Sequence, residues 1–201
     1  MALQEYGKPG VGISAVARTD SYRYKSGAQA ERAVAGTIRR ALKGRAAVPD
    51  SGAVVVHDAP TPTPVGAKRY KANADHLIIT TGRLRPHGLI VETKGWASGW
   101  YLAKWGGWRW TDHQKGRFGP ADKHTIRLLL DRYREVLPGI QWSAIMVTTN
   151  DCRVLGASGY KQVSLATFER KVRGLNRAEV PERVRADVLS VCGNPARMKG
   201  R

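Results

Sequence analysis

The chain has 201 residues and a mass of 22.1 kDa, a length that suits one domain with tails, and its 42% hydrophobic content supports a core and excludes a disordered chain. Lys plus Arg number 34 against 16 Asp plus Glu, a net charge of +18, which favours a polyanionic partner, nucleic acid before an anionic membrane surface. No run approaches the ~18 consecutive apolar residues of a membrane helix, the N-terminus carries no apolar signal core, and the two cysteines, Cys152 and Cys192, stand too far apart for a disulfide framework and fit a reducing cytoplasm.

Residues 1–25 are polar, with scattered basic and tyrosine side chains, and read as a loosely held arm. Ser26 with Gln29 three residues on is a capping-box pattern. It predicts a helix from Ser26 to about Lys43, with Val34, Ile38 and Leu42 as its buried stripe. Val54–Val56 is short and β-branched, a strand; prolines within 59–66 exclude regular structure there. Ala74–Thr80 and Gly88–Lys94 read as strands joined by the turn-rich 82–88. Trp96 to Trp110 holds five of the chain's six tryptophans, with Gly106-Gly107 as a hairpin turn. A second helix follows Pro120 and ends at Pro138-Gly139. Ser143–Thr149 is a buried strand, two short helices fall near 165–174 and 181–191, and 193–201 is a basic tail. The order predicts an α/β or α+β sandwich around a mixed sheet, with 26–192 as one domain.

Asp75, Glu92 and Lys94 carry the chemistry. Strand side chains alternate faces, so Glu92 and Lys94 project to the same side. If the two central strands form an antiparallel hairpin, Asp75 and Glu92 are symmetric about the Gly82–Arg85 turn and face each other. Their Cβ atoms are then ~4.5–5.5 Å apart. Two ionised carboxylates at that distance repel. A hard divalent cation between them, Mg²⁺ or Mn²⁺, resolves the repulsion, and the Lys94 ammonium beside it suits a water or a phosphate oxygen. Glu31 shares the apolar stripe of the first helix and so turns toward the sheet, where a carboxylate needs a cation or a bound water. Any one of these acids alone reads as a surface charge or half of an ion pair, with Lys94 as the neutralising partner. The hairpin symmetry, the helix glutamate and the net charge together favour the site.

Residues 27–34 (GAQAERAV), 56–58 (VHD), 74–79 (ADHLII) and 90–94 (IVETK) resemble the nuclease-related domain (NERD) family of the PD-(D/E)XK nuclease superfamily. The resemblance covers about residues 26–175. It implies a restriction-endonuclease-like α/β fold, a mixed sheet flanked by helices, with a Mg²⁺ site and phosphodiester hydrolysis. By position, Asp75 and Glu92 match the metal-binding acids, with Thr93 contributing its carbonyl; Lys94 matches the catalytic lysine and Glu31 the first-helix acid. The family commonly shows Asn-Pro-x-x-Gln before the later helix. Here the segment is 119–123 (GPADK), with Lys123 where glutamine is expected and Gln114 in another register.

Lys104 and Arg109, interleaved with the tryptophans, together with Lys123 and Arg127, are the candidate nucleic-acid contacts, since aromatics beside cations stack on bases and hold phosphates. A tryptophan-packed hairpin covering the sheet accounts for the same residues without nucleic acid. Arg32, Arg39 and Lys43 share a helix face that tracks phosphates or simply faces solvent. His57, His76, His87, His113 and His124 lack metal-ligand spacing, and His76 is expected in a structural role. The expected function is a Mg²⁺-dependent deoxyribonuclease, cytoplasmic, with DNA as partner, no membrane, and an oligomeric state that leaves room for a homodimer. The alternative is a non-catalytic nucleic-acid-binding protein that keeps the fold.

Overall fold

The computed structural model describes residues 3–10, 22–44, 51–64, 66, 73–96, 98–104, 107–110, 123–155 and 161–193. Its centre is a mixed six-stranded sheet ordered β1-β2-β3-β4-β7-β9. These strands are β1 (Gln4–Tyr6), β2 (Val54–Pro60), β3 (Asn73–Thr80), β4 (His87–Lys94), β7 (Gln141–Thr148) and β9 (Lys161–Ser164). A smaller sheet has the order β6-β5-β8, from β5 (Gly99–Lys104), β6 (Gly107–Trp110) and β8 (Cys152–Leu155). The helices are α1 (Tyr22–Leu42), α2 (Lys123–Val136), α3 (Leu165–Arg173) and α4 (Glu182–Val191).

Period-two alternation along the strands divides the core into two layers. Val55, Ile78, Val91, Ile145 and Val147 pack with Val34, Ile38 and Leu42 of α1 and with Phe168 and Val172 of α3. Val54, Val56, Leu77, Ile79 and Ile90 pack on the other side with Leu129 and Tyr133 of α2 and Val188 of α4. The sheet is therefore sandwiched between two helix layers, the α/β architecture that the order of elements predicts. Val34, Ile38 and Leu42 form the buried stripe read from their spacing.

The β3–β4 hairpin has the expected register: Ile79 pairs with Gly88, Leu77 with Ile90 and His76 with Val91. β4 and β7 then run parallel, with Glu92 beside Met146 and Lys94 beside Thr148. Gly88 is required where β4 passes Trp142, because a Cβ there would drive into the indole ring.

The structure departs from the sequence reading at the element ends. Residues 4–6 of the supposed arm form β1, parallel to β2 with Gln4 beside Val54. Helix α1 begins at Tyr22, so Ser26 lies inside it and does not cap it. The Tyr-Arg-Tyr-Lys segment contains no helix breaker, and extending the backbone ladder outweighs a cap worth about 1 kcal/mol. β2 continues to Pro60, opposite Asn73, because a proline at a strand end removes no ladder bond that is needed. β8 and β9 are additional short strands that pair in parallel with β5 and β7. The Trp-rich segment does form a hairpin, Lys104 pairing with Gly107, while Gly106, the segment 119–122, Gln114, His113 and the tail from Asn194 lie outside the described residues.

Candidate metal and nucleic-acid site

The β3–β4 register carries Asp75 and Glu92 level with each other, one position beyond the His76–Val91 pair. Both lie near the same end of the sheet, Asp75 close to the start of β3 and Glu92 close to the end of β4. The Asp75 carboxylate reaches across the hairpin and accepts a hydrogen bond from the Thr93 amide at 2.5 Å. Lys94 Nζ lies 2.7 Å from Glu92 Oε1, as expected for side chains two apart on one strand face. Glu92 is buried, and its second oxygen, Oε2, has no hydrogen-bond partner among the described residues. The Thr93 hydroxyl is likewise buried and without a partner among them.

Glu31 is buried on α1, where its Oε2 accepts a hydrogen bond from the Gly10 amide at 2.7 Å. Burial pushes its carboxyl up to about 7; the charges of Asp58 and Glu92 push the same way, and Lys94 opposes them. Asp75 is held well above the ordinary aspartate range, by burial first and then by Glu92 and Glu31, with Lys94 and the Thr93 amide opposing. The three predicted acids and the lysine thus share one electrostatic neighbourhood at the strand ends, although they come from α1, β3 and β4.

Asp58 joins this neighbourhood unforeseen. It falls between the pairs His57–His76 and Ala59–Ala74, level with Asp75 on the adjoining strand. Its φ of 53° is left-handed, a conformation that costs a non-glycine residue about 1–2 kcal/mol. The strand alternation shifts there: Val54 and Val56 lie in the α2 layer, and so does Ala59. Asn73 Nδ2 donates to Asp58 Oδ1 at 2.9 Å. Nothing in the one-dimensional pattern marks this aspartate except its place in the VHD segment, because its partner strand is set by the β2–β3 pairing.

The donor set is made of carboxylate oxygens, the hard ligands that Mg²⁺ and Mn²⁺ take. Among the described residues no group of three or more His, Cys, Asp or Glu side chains encloses a cation position. Mg²⁺ is commonly held by one or two carboxylates with waters completing its shell, so the Asp75–Glu92 pair, with the orphan Glu92 Oε2, could hold such an ion.

Beside the acids lies an imidazole pair. His57 and His76 face each other across β2 and β3 with their Nδ1 atoms 2.8 Å apart. Burial, then the neighbouring His57, holds His76 well below the ordinary imidazole range. One neutral ring donating to the other fits the structural role expected of His76. Glu5, ion-paired with Arg39 at 2.8 Å, lies under His57. Arg39 therefore serves the strand below it, whereas Arg32 and Lys43 are exposed.

Of the candidate nucleic-acid contacts, Lys104 is placed on β5, Arg109 on β6 and Lys123 at the start of α2, while their side chains lie outside the described ones. Arg127 is exposed on α2, 4.0 Å from Asp131. Cys192 is buried and Cys152 half-buried, neither in a disulfide. Burial pushes both thiols up to about 11, which suits packing residues rather than nucleophiles.

The nuclease-related domain (NERD) model matches residues 26–137. That span is more than half of the chain and includes Glu31, Asp58, Asp75, Glu92 and Lys94. The chain belongs to the nuclease-related domain family, and its mixed sheet between helices is an α/β fold consistent with a nuclease-like domain. No curated protein and no solved structure matches it significantly. No described helix is long and apolar enough to cross a membrane.

Proposed function

We propose that the chain is a Mg²⁺-dependent nuclease that hydrolyses phosphodiester bonds of DNA. The observation that supports this reading best is the meeting of Asp75 and Glu92 at one end of the sheet, with Lys94 at 2.7 Å from Glu92, in a chain of net charge +18. A protein that only binds nucleic acid gains nothing from paired acids facing a phosphate backbone.

In this reading Asp75, Glu92 and the Thr93 carbonyl hold the cation, and Glu31 holds a bound water or a second cation. A bound Mg²⁺ supplies Lewis-acid polarisation of the scissile phosphate and lowers the pKa of water. The Thr93 amide fixes the Asp75 carboxylate in place. Lys94, as a cation with three donors, orients the attacking water and stabilises negative charge developing on the phosphate. Hydrolysis forms a bond from the water oxygen to phosphorus and breaks one phosphorus–oxygen ester bond, the leaving oxygen taking up a proton. The basic surface, with Lys104, Arg109, Lys123 and Arg127 as its candidates, supplies affinity for the backbone independent of sequence.

The test is incubation of the purified chain with linear and circular, single- and double-stranded DNA in Mg²⁺, Mn²⁺ or EDTA. Cleavage is expected only with metal. Glu92→Ala and Asp75→Ala are expected to lose at least about 10²-fold in rate, the scale of a lost transition-state contact, while keeping DNA binding in EDTA. Cleavage by either variant at the wild-type rate would remove the site assignment. DNA binding without cleavage under any metal would favour the non-catalytic alternative.

A further inference from the structure

We infer that the outer face of the α1–α3 helix layer, with Arg32, Arg40, Lys43, Arg170 and Lys171, binds the phosphate backbone of duplex DNA, an inference that rests on the nucleic-acid reading above. The two helix layers carry their cations differently. On the α2–α4 side, Arg127 and Arg134 lie 4.0 Å and 3.9 Å from Asp131, Arg132 lies 3.6 Å from Glu135, and Arg185 pairs with Glu182. Arg183 is exposed one turn from the exposed Asp187. Each of these arginines has an acid beside it, so that layer is close to neutral outside. On the α1–α3 side the charges do not cancel. Glu31, the acid of α1, is buried, and Glu169, the acid of α3, pairs with Arg173. Arg32, Arg40 and Lys43 are exposed on the side of α1 away from the buried Val34, Ile38 and Leu42, and Arg170 and Lys171 are exposed on α3. None of the five has an acidic partner among the described residues; Arg40 and Arg170 donate to the hydroxyls of Thr37 at 2.9 Å and Thr167 at 3.4 Å.

A solvated helix face ordinarily mixes both signs, because a single-sign face repels itself, and like charges one turn apart, as Arg40 and Lys43 are, destabilise a helix. A phosphate lattice removes that repulsion. The dimensions fit. Arg32 follows Glu31, so the row starts beside the residue that joins the strand acids, and it runs along α1 to Lys43 for about 16 Å at ~1.5 Å per residue. That is the span of about five phosphates of one strand at ~3.4 Å each. Phe168 and Val172 of α3 pack with Val34 and Ile38 of α1, so Arg170 and Lys171 widen the row. An anionic membrane fits less well: a helix lying on lipid presents large apolar side chains between its cations, whereas the exposed or half-exposed positions between these are Ala33, Gly36 and Arg39.

The test follows binding of the full-length chain to a short fluorescent duplex by anisotropy, in EDTA and over a range of salt concentrations. Arg32→Gln with Arg40→Gln and Lys43→Gln removes the α1 row while keeping a good helix former at each position. Arg170→Gln with Lys171→Gln removes the α3 pair without touching α1. Arg132→Gln with Arg134→Gln and Arg183→Gln removes as much charge as the α1 variant from the opposite layer. The slope of log affinity against log salt is expected to become shallower by about 0.9 per lost phosphate contact, hence by ~2–3 in the α1 variant and ~1–2 in the α3 variant, and to stay at the wild-type value in the opposite-layer variant. Circular dichroism checks that each variant folds; if the α1 variant does not, the α3 variant against the opposite-layer variant decides. Wild-type slopes in the α1 and α3 variants, or an equal change in the opposite-layer variant, would overturn this face and leave the nucleic-acid reading standing. Loss of binding to phosphatidylserine-containing vesicles by the α1 variant, with its DNA slope unchanged, would make the face a membrane surface and overturn the inference. A wild type that binds no duplex at any salt would overturn the nucleic-acid reading as well.

Discussion

At Asp75 the chain opposes two carboxylates and offsets them with one ammonium. Its folded-state pKa is raised by burial, Glu92 and Glu31. A carboxyl raised above its unfolded value stabilises the fold fully at pH below that value, near 3.9 for aspartate, and loses that contribution as pH climbs toward the folded pKa. Metal-free wild type should therefore lose stability as pH rises, and Asp75→Asn, which cannot ionise, should not lose this part. In EDTA the variant is expected to melt higher than wild type, with the gap widening from pH 5 to pH 8. An opposed like-charge pair is worth up to about 1 kcal/mol, or ~2–4 °C for a chain of this size. Mg²⁺ should raise the melting temperature of wild type and not of the variant, since a ligand stabilises only the state that binds it. Thermal denaturation at two pH values, with EDTA or excess Mg²⁺, measures this; a variant that melts lower in EDTA and gains as much from Mg²⁺ makes Asp75 a structural residue.

The element that positions the site is the β3–β4 hairpin, and its register depends on what β4 can pass. Gly88 lies under the Trp142 indole, where a Cβ has no room, and Trp142 is itself held by its Nε1 donating to the Leu137 carbonyl at 3.2 Å and by Tyr133, 4.8 Å away between ring centroids. Tyr133 is fixed in turn, donating to the Pro60 carbonyl at 2.9 Å. Gly88→Ala is expected to destabilise the fold by about 1–3 kcal/mol, the cost of overpacking a filled core. Urea denaturation reads it as a lower midpoint with an unchanged slope. An unchanged midpoint would show that Trp142 moves aside freely and does not fix β4. The sequence made this hairpin legible because Asp75 and Glu92 lie symmetrically about the short turn between two apolar runs, Leu77–Ile79 and Leu89–Val91. It did not reveal β1, β8 or β9, since strands of three or four residues carry little periodicity and their parallel partners are distant in the chain.

Over the whole molecule the excess of +18 charges sets the long-range behaviour. If it supplies the affinity for DNA, the logarithm of the binding constant should fall linearly with the logarithm of salt, by about 0.9 per phosphate neutralised on duplex. Titrations in EDTA at several salt concentrations measure that slope, and a flat response would remove the basic surface as the binding determinant. The negative charges are distributed differently: Glu31, Asp58, Asp75 and Glu92 gather from α1, β2, β3 and β4 within that positive field. In the proposed reading, such a focus is what draws a divalent ion to a chain that as a whole repels cations.

The sequence alone determined a mixed sheet packed by helices, from the order of its elements, and the α1 stripe, the hairpin register and the pairing of Asp75 with Glu92 and Lys94, from periodicity or from symmetry about a short turn. The tertiary structure decided what depends on contacts between distant segments. It set residues 4–6 against β2, carried α1 back to Tyr22, and placed Glu31 among the strand acids. It also put Asp58 level with Asp75 in a left-handed conformation. Such a conformation is unfavourable by itself and persists only where the surrounding fold holds it, so local residue preferences could not have announced it.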